Sequence, residues 1–233
     1  MKNCLLLCFL PVTSFHQSCG QSKTAEKTFT DSFMQDSCTF NATGRNTYFI
    51  LEPGYQLVLE GMEEGKTAKL VITVLNETRK IGNTVTRVVE ENETLDGNTV
   101  EISRNFFAVC QQTGTIFYFG EEVDIYKNGK VVGHEGAWIA EGRNRAGIIM
   151  PGTFLSGARF YQEIAPGVAM DRAEIIGLKE TLVTPAGKFS NCLKTEESTA
   201  LKPKEKEYKL YAPGIGLIKD ENLILVKYGF NIK

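Results

Sequence analysis

Histidine is nearly missing from this chain, with two in 233 residues, His16 and His134. General acid–base catalysis near neutral pH and most metal sites lean on that side chain. No Gly-x-Ser-x-Gly elbow, Gly-x-x-x-x-Gly-Lys phosphate loop or Gly-x-Gly-x-x-Gly dinucleotide loop occurs, which removes the common serine hydrolase, nucleotide hydrolase and dinucleotide readings. Gly214-Ile215-Gly216 has no helix-forming sequence behind it and reads as a strand-entry turn. No apolar run approaches the ~20 residues that a membrane-crossing helix needs. Neither charge sign dominates: 26 basic against 28 acidic side chains leave a net −2, so nothing draws the whole surface to nucleic acid or anionic lipid. No ten-residue stretch keeps a 3.6-residue apolar period, so helices are not expected.

The N-terminus carries Lys2, a short apolar run over residues 4–12, and small residues at Ser18-Cys19-Gly20. That pattern reads as a secretory signal over residues 1–20, cleaved before Gln21 or, alternatively, processed at a lipidated Cys19. Export to the periplasm, cell envelope or extracellular space follows. With the signal removed, His134 is the last histidine and Cys38, Cys110 and Cys192 are the remaining cysteines. Their spacings match no zinc motif. One disulfide with one free thiol, or three buried thiols, both fit; the pairing is open.

Residues 21–46 are rich in Ser, Thr, Gln and Asn and read as a flexible linker. Residues 47–233 read as a single β domain. Turn signals recur about every ten residues: Pro53-Gly54, Gly65, Gly82, Asp96-Gly97, Gly114, Asn128-Gly129, Pro166-Gly167, Pro185-Ala186-Gly187 and Pro213-Gly214. Asp96-Gly97 and Asn128-Gly129 are two-residue hairpin loops. Around a dozen strands joined by short loops give an all-β fold, one antiparallel meander closing into a barrel, half-barrel or sandwich.

Asn46-Thr47-Tyr48-Phe49-Ile50-Leu51-Glu52-Pro53-Gly54-Tyr55 with Leu59-Glu60-Gly61 resembles the opening of an uncharacterised group of exported bacterial β-rich, lipoprotein-like domains. Val183-Thr184-Pro185-Ala186-Gly187-Lys188-Phe189, Cys192-Leu193-Lys194-Thr195-Glu196-Glu197 and Tyr211-Ala212-Pro213-Gly214-Ile215-Gly216-Leu217-Ile218-Lys219 are similar to later parts of the same group. The resemblance spans residues 48–219 and rests on turn chemistry. It implies fold and compartment and transfers no catalytic residue. A looser likeness to half-barrel carriers of lipids or lipoproteins rests on architecture alone.

Two segments suggest chemistry. In the hairpin around Asn128-Gly129, simple pairing sets Asp124 opposite Gly133 and Glu122 opposite Glu135. Glu122, Asp124 and Glu135 then share one face, where facing like charges are unfavourable and a hard cation such as Ca²⁺ would relieve them. A neighbouring Arg or Lys would do the same. His134 falls on the opposite face, beside apolar neighbours. Residues 142–157 are the longest break in the strand pattern. Their apolar Met150, Phe154 and Leu155 could touch an apolar ligand, with Arg143 and Arg145 placed for an anionic head group; capping one end of the barrel is the alternative. Residues 202–207 read as a solvated hairpin tip with no aromatics for nucleic acid. The sequons at Asn41, Asn76 and Asn92 are too common a motif to carry weight. No catalytic residue and no cofactor are expected. The leading expectation is a non-enzymatic exported domain that binds a lipid-like apolar or amphipathic molecule or an envelope protein. A metal-assisted hydrolase using the hairpin carboxylates and a purely structural module are the alternatives.

Overall fold

The computed structural model describes residues 27–230. The expected signal segment and Cys19 lie outside the described residues. Three short strands come first, β1 (Phe40–Asn41), β2 (Gly44–Asn46) and β3 (Phe49–Leu51). A meander of long strands follows: β4 (Tyr55–Glu63), β5 (Lys66–Ile81), β6 (Thr84–Leu95), β7 (Asn98–Cys110) and β8 (Ile116–Lys127). Short pieces come next, β9 (Lys130–Gly133), β10 (Trp138–Ile139), β11 (Arg145–Met150), β12 (Arg159–Tyr161) and β13 (Glu163–Ile164). A second meander completes the chain: β14 (Asp171–Thr184), β15 (Gly187–Thr199), β16 (Lys202–Ala212), β17 (Gly216–Asp220) and β18 (Leu223–Phe230). Among the described residues the one helical turn is 3-10, Gln35–Ser37.

The two-residue loops form because their central positions tolerate positive φ. Asp96 and Gly97 sit at φ 48° and 77°, Asn128 and Gly129 at 52° and 71°. The resulting antiparallel sheet runs β12-β14-β15-β16-β17-β18-β4-β5-β6-β7-β8-β11-β13. Its first and last members, β12 and β13, are separated in the chain by Gln162 alone. β12 pairs with β14, and β13 pairs with β11. The two edges of the sheet therefore meet at one bend, and the sheet is nearly closed into a barrel, which removes the exposed edges an open sheet would carry. Gln162 holds the bend by donating its N–H to the Asp171 carbonyl (2.7 Å).

Residues 27–46 depart from the linker expectation. Thr30 bridges to Phe160, donating to the Arg159 carbonyl and accepting from the Tyr161 N–H, so this segment lies along the free edge of β12. Asp31 meets Arg145 on β11, across the seam. Phe33 and Phe40 then stack edge-on against Phe117, and Cys38 is disulfide-bonded to Cys110. The segment is ordered because it covers apolar surface on the outside of the barrel, where Phe106, Ala108, Phe117, Phe119 and Ala146 form a second core. The main core fills the inside, with Leu51, Leu59, Ile116, Ile175, Leu193, Ile218 and Leu225 fully buried.

The segment over residues 142–157 also departs from a plain loop, because residues 145–150 form β11 and pair with β8 and β13. Its remainder caps one end of the barrel. Met150 is buried in the main core, and Phe154 stacks edge-on against Tyr48 at 4.8 Å. The β2–β3 hairpin crosses the same end. Asn46 fixes it, with Nδ2 donating to the Gly114 and Pro151 carbonyls (2.7 and 2.9 Å) and Oδ1 accepting from the Tyr48 N–H. The Tyr48 hydroxyl donates to the Asn191 carbonyl, and Gly214 N–H to the Thr47 carbonyl.

Candidate functional site

Alternation along the strands builds the site. Side chains two apart share a face, and β6 places Val89, Glu91 and Glu93 inward. Its partner β7 places Glu101, Ser103, Asn105 and Phe107 on the same face, with Glu93 opposite Glu101 and Val89 opposite Asn105. On both strands the apolar residue lies toward the capped end and the carboxylates toward the other. β16 repeats the order with Glu207, Lys209 and Tyr211, and β17 with Leu217 and Asp220. The space between these walls is a cavity of about 460 Å³. Leu57, Ile72, Val74, Val89 and Phe107 line its apolar end, with Phe49 and Ile50 of β3 forming part of the floor. Glu93 and Glu207 stay exposed where the other end meets water.

Nine carboxyl groups and one ammonium, Lys209, line this cavity. Lys209 contacts Glu197 at 3.5 Å and Asp220 at 3.4 Å. Burial works against its charge, but those two carboxylates outweigh it and hold its pKa well above the usual lysine value. Tyr211 donates to Glu197 (3.3 Å), as does the Thr195 hydroxyl (3.0 Å). Trp138 Nε1 donates to Glu163 (3.3 Å), and the Tyr118 hydroxyl lies between Asn105 and Glu121. Glu91, by contrast, accepts no hydrogen bond among the described residues, and Lys209 attracts it only from beyond salt-bridge distance. It is half-buried and lines the cavity.

Withdrawal from water disfavours the charged form of a carboxyl, and neighbouring carboxylates add to this. Burial pushes Glu91 up to about 8 and Glu121 up to about 7, while partial desolvation at the mouth, with Glu101 beside it, pushes Glu93 up to about 7. Glu163 is driven well above the ordinary range by burial and by Glu121 and Asp171. Burial likewise raises Glu101, Asp171 and Glu207. The cavity walls therefore carry several protons at neutral pH. Cys192 is free and buried in the main core, and burial raises its thiol, which makes it a poor nucleophile.

The residues singled out by sequence fall elsewhere. Met150, Phe154, Leu155, Arg143 and Arg145 are not among the cavity walls; Ile149 is the residue of that segment that is. Leu155 is largely exposed, Arg143 donates to the Pro166 carbonyl, and Arg145 pairs with Asp31. In the acidic hairpin a register shift pairs Ile125, in place of Asp124, with Gly133, and β9 ends there. Glu135 thus has no strand partner opposite Glu122. Glu122 faces outward, ion-paired with Arg79 and opposite Arg104. His134 is exposed, its Nδ1 near the Val123 carbonyl (2.7 Å) and Asp124 (3.0 Å). Among the described residues no three His, Cys, Asp or Glu side chains stand close enough to hold one metal ion. The cavity carboxylates were visible in sequence only as an i, i+2 pattern, Val89-x-Glu91-x-Glu93 and Glu207-x-Lys209-x-Tyr211, in which an apolar face turns charged partway along a strand.

No protein-family profile and no curated protein matches the chain. Among the described residues no helix is long and apolar enough to cross a membrane. Of solved structures, the chain is similar to a "putative lipoprotein" from Parabacteroides distasonis, at 16% identity and a TM-score of 0.40, over 80% of this chain and 100% of that one.

Proposed function

We propose that this protein is an exported, non-enzymatic binding protein whose barrel interior takes an amphipathic small molecule. The observation that carries the reading is the cavity of about 460 Å³ with an apolar floor and a carboxyl-lined mouth. Its size falls in the range of about 300–1,000 Å³ that small-molecule sites occupy. Export is supported by the Cys38–Cys110 disulfide, which an oxidising compartment favours, and by the basic and apolar N-terminus. The absence of enzymatic chemistry is supported by walls that pair no Ser or Cys nucleophile with a base. The test is saturable binding of the neutral apolar probe N-phenylnaphthylamine, read by fluorescence. One equivalent should bind, and Leu57→Trp, which fills the floor, should abolish it. A probe that binds equally well to Leu57→Trp, or not at all, overturns the reading.

A further inference from the structure

The cavity walls are over-supplied with carboxyl groups for any neutral guest. A polar mouth for an uncharged ligand needs donors and acceptors that are cheap to bury, such as amides or hydroxyls. Here Asn105, Gln162 and Ser103 are outnumbered threefold by carboxyls. Burying a carboxylate costs several kcal/mol unless it is paired, and the resident cation accounts for two of them, Glu197 and Asp220. Glu91 is the telling residue. It lies halfway between the apolar floor and the mouth, is half-buried in the cavity wall and accepts no hydrogen bond from the described residues, with Lys209 the one cation that acts on it. Glu93 and Glu101 face each other one step further toward the mouth, where Lys209 acts on Glu93 from beyond salt-bridge distance. Carboxyls crowded in this way disfavour one another's ionised forms, and a further positive charge among them relieves this.

We infer that the cavity selects organic ammonium ions, with the cationic head held by Glu91, Glu93 and Glu101 and the apolar tail on Leu57, Val74 and Phe107. The inference rests on the proposed binding role of the barrel and names the ligand class. A bare metal ion is a poorer occupant, since the carboxyls are spread over β6, β7, β8 and β13–β17 and no three converge. An anionic amphiphile would meet carboxyl groups on almost every wall, with Lys209 the one cation among them.

Binding should release protons. The groups that face the head are Glu91 and Glu93 of β6, Glu101 of β7, Glu121 of β8, Glu163 of β13, and Asp171 of β14. Glu197 of β15, Glu207 and Lys209 of β16 and Asp220 of β17 complete the ring. An ammonium favours their ionised forms, so affinity rises with pH through the range in which Glu93, Glu121 and Glu91 titrate, about 7 to about 8. Each released proton steepens the dependence by up to about tenfold per pH unit.

The experiment is calorimetric titration of the full exported chain with decyltrimethylammonium, decanol and decanoate, below their aggregation concentrations. The first carries a charge that does not itself titrate. Decyltrimethylammonium should bind one to one and at least about tenfold tighter than decanol at pH 8, weaken about tenfold or more at pH 6, and release protons. Decanoate should not bind at pH 8. Glu91→Gln, which keeps shape and removes charge, should cost the cation about tenfold more affinity than it costs decanol. Decanol or decanoate binding as well as the cation overturns the ammonium assignment while leaving the binding role standing. Cation binding that survives Leu57→Trp, or that ignores both pH and Glu91→Gln, overturns it too. Failure of all three amphiphiles and of N-phenylnaphthylamine removes both readings together.

Discussion

Glu91 has a measurable effect on the fold as well as on binding. Its pKa rises from about 4.5 in an unfolded chain to about 8 in the barrel. Between those values the folded state holds a proton that the unfolded state has lost, so stability falls as pH rises across that window. Glu93 and Glu121, pushed up to about 7, act in the same direction. At the low end Glu174 and Glu196 act oppositely. Hydrogen bonds from Arg159 and Lys206, respectively, hold their pKa values down, and their contribution is lost only as pH falls below about 4.5. The empty protein should therefore be most stable near pH 5 and weaken toward pH 8. Glu91→Gln should flatten that slope and stabilise the protein at pH 8 by roughly 2–4 kcal/mol. Urea unfolding at pH 5, 6.5 and 8 checks this, and a Glu91→Gln variant no more stable than the parent at pH 8 contradicts it. Sidedness hides these carboxyls in the sequence. Period-2 alternation says that Glu91 and Glu93 share a face with Val89, and convention assigns the charged end of such a face to water. A partly hollow barrel makes its inside polar as well, and no local signal distinguishes the two.

At the scale of single elements the turns were legible and the registers were not. Asp96-Gly97 and Asn128-Gly129 fix their hairpins because few residue pairs accept two consecutive positive φ values. A bulge has no comparable signature. The shift between Ile125 and Tyr126 moves Gly133 by one partner, and that single step takes Glu135 off the face it was expected to share with Glu122. The order of the N-terminal segment is hidden in the sequence for a different reason. Its own composition is polar, and the apolar surface that orders it lies on distant strands. The continuous run Phe106-Phe107-Ala108-Val109-Cys110 was the available clue, since a strand that is apolar at every position is buried on both faces. This yields a prediction for the segment. The Cys38–Cys110 bond joins residues 72 apart, and replacing both cysteines by serine should cost about 2–4 kcal/mol. Amide exchange should rise first at Thr30 and Tyr161, whose hydrogen bonds tie the segment to β12, while β5 and β6 keep their protection. Uniform loss of protection across the sheet would mean that the segment is part of one cooperative unit.

The whole molecule depends on a seam that is closed by very little pairing. β13 contributes two residues and β12 three, yet between them they join the ends of a thirteen-strand order. Gly147 on β11 lets this happen. A Cβ at that position would stand 2.3 Å from the Gln162 carbonyl oxygen and 2.7 Å from that of Tyr161, both backbone atoms at the bend. No side-chain rotation relieves such a contact, so Gly147→Ala must push β11 away from the β12–β13 corner, at a cost of roughly 1–3 kcal/mol. The consequence reaches the cavity, because Gln162 and Glu163 line it and Ile149 follows two residues after Gly147 on the same strand. A parted seam lets water reach Glu163 from behind, which weakens the burial that keeps its carboxyl protonated. Gly147→Ala should therefore lower stability in urea and also weaken N-phenylnaphthylamine binding several-fold. Gly129→Ala, at a hairpin tip where an added Cβ meets nothing within 4 Å, should cost stability through its positive φ alone and leave binding intact. Equal effects of the two substitutions on binding would show that the cavity does not depend on the seam, and that the barrel holds its interior shape through the long meanders.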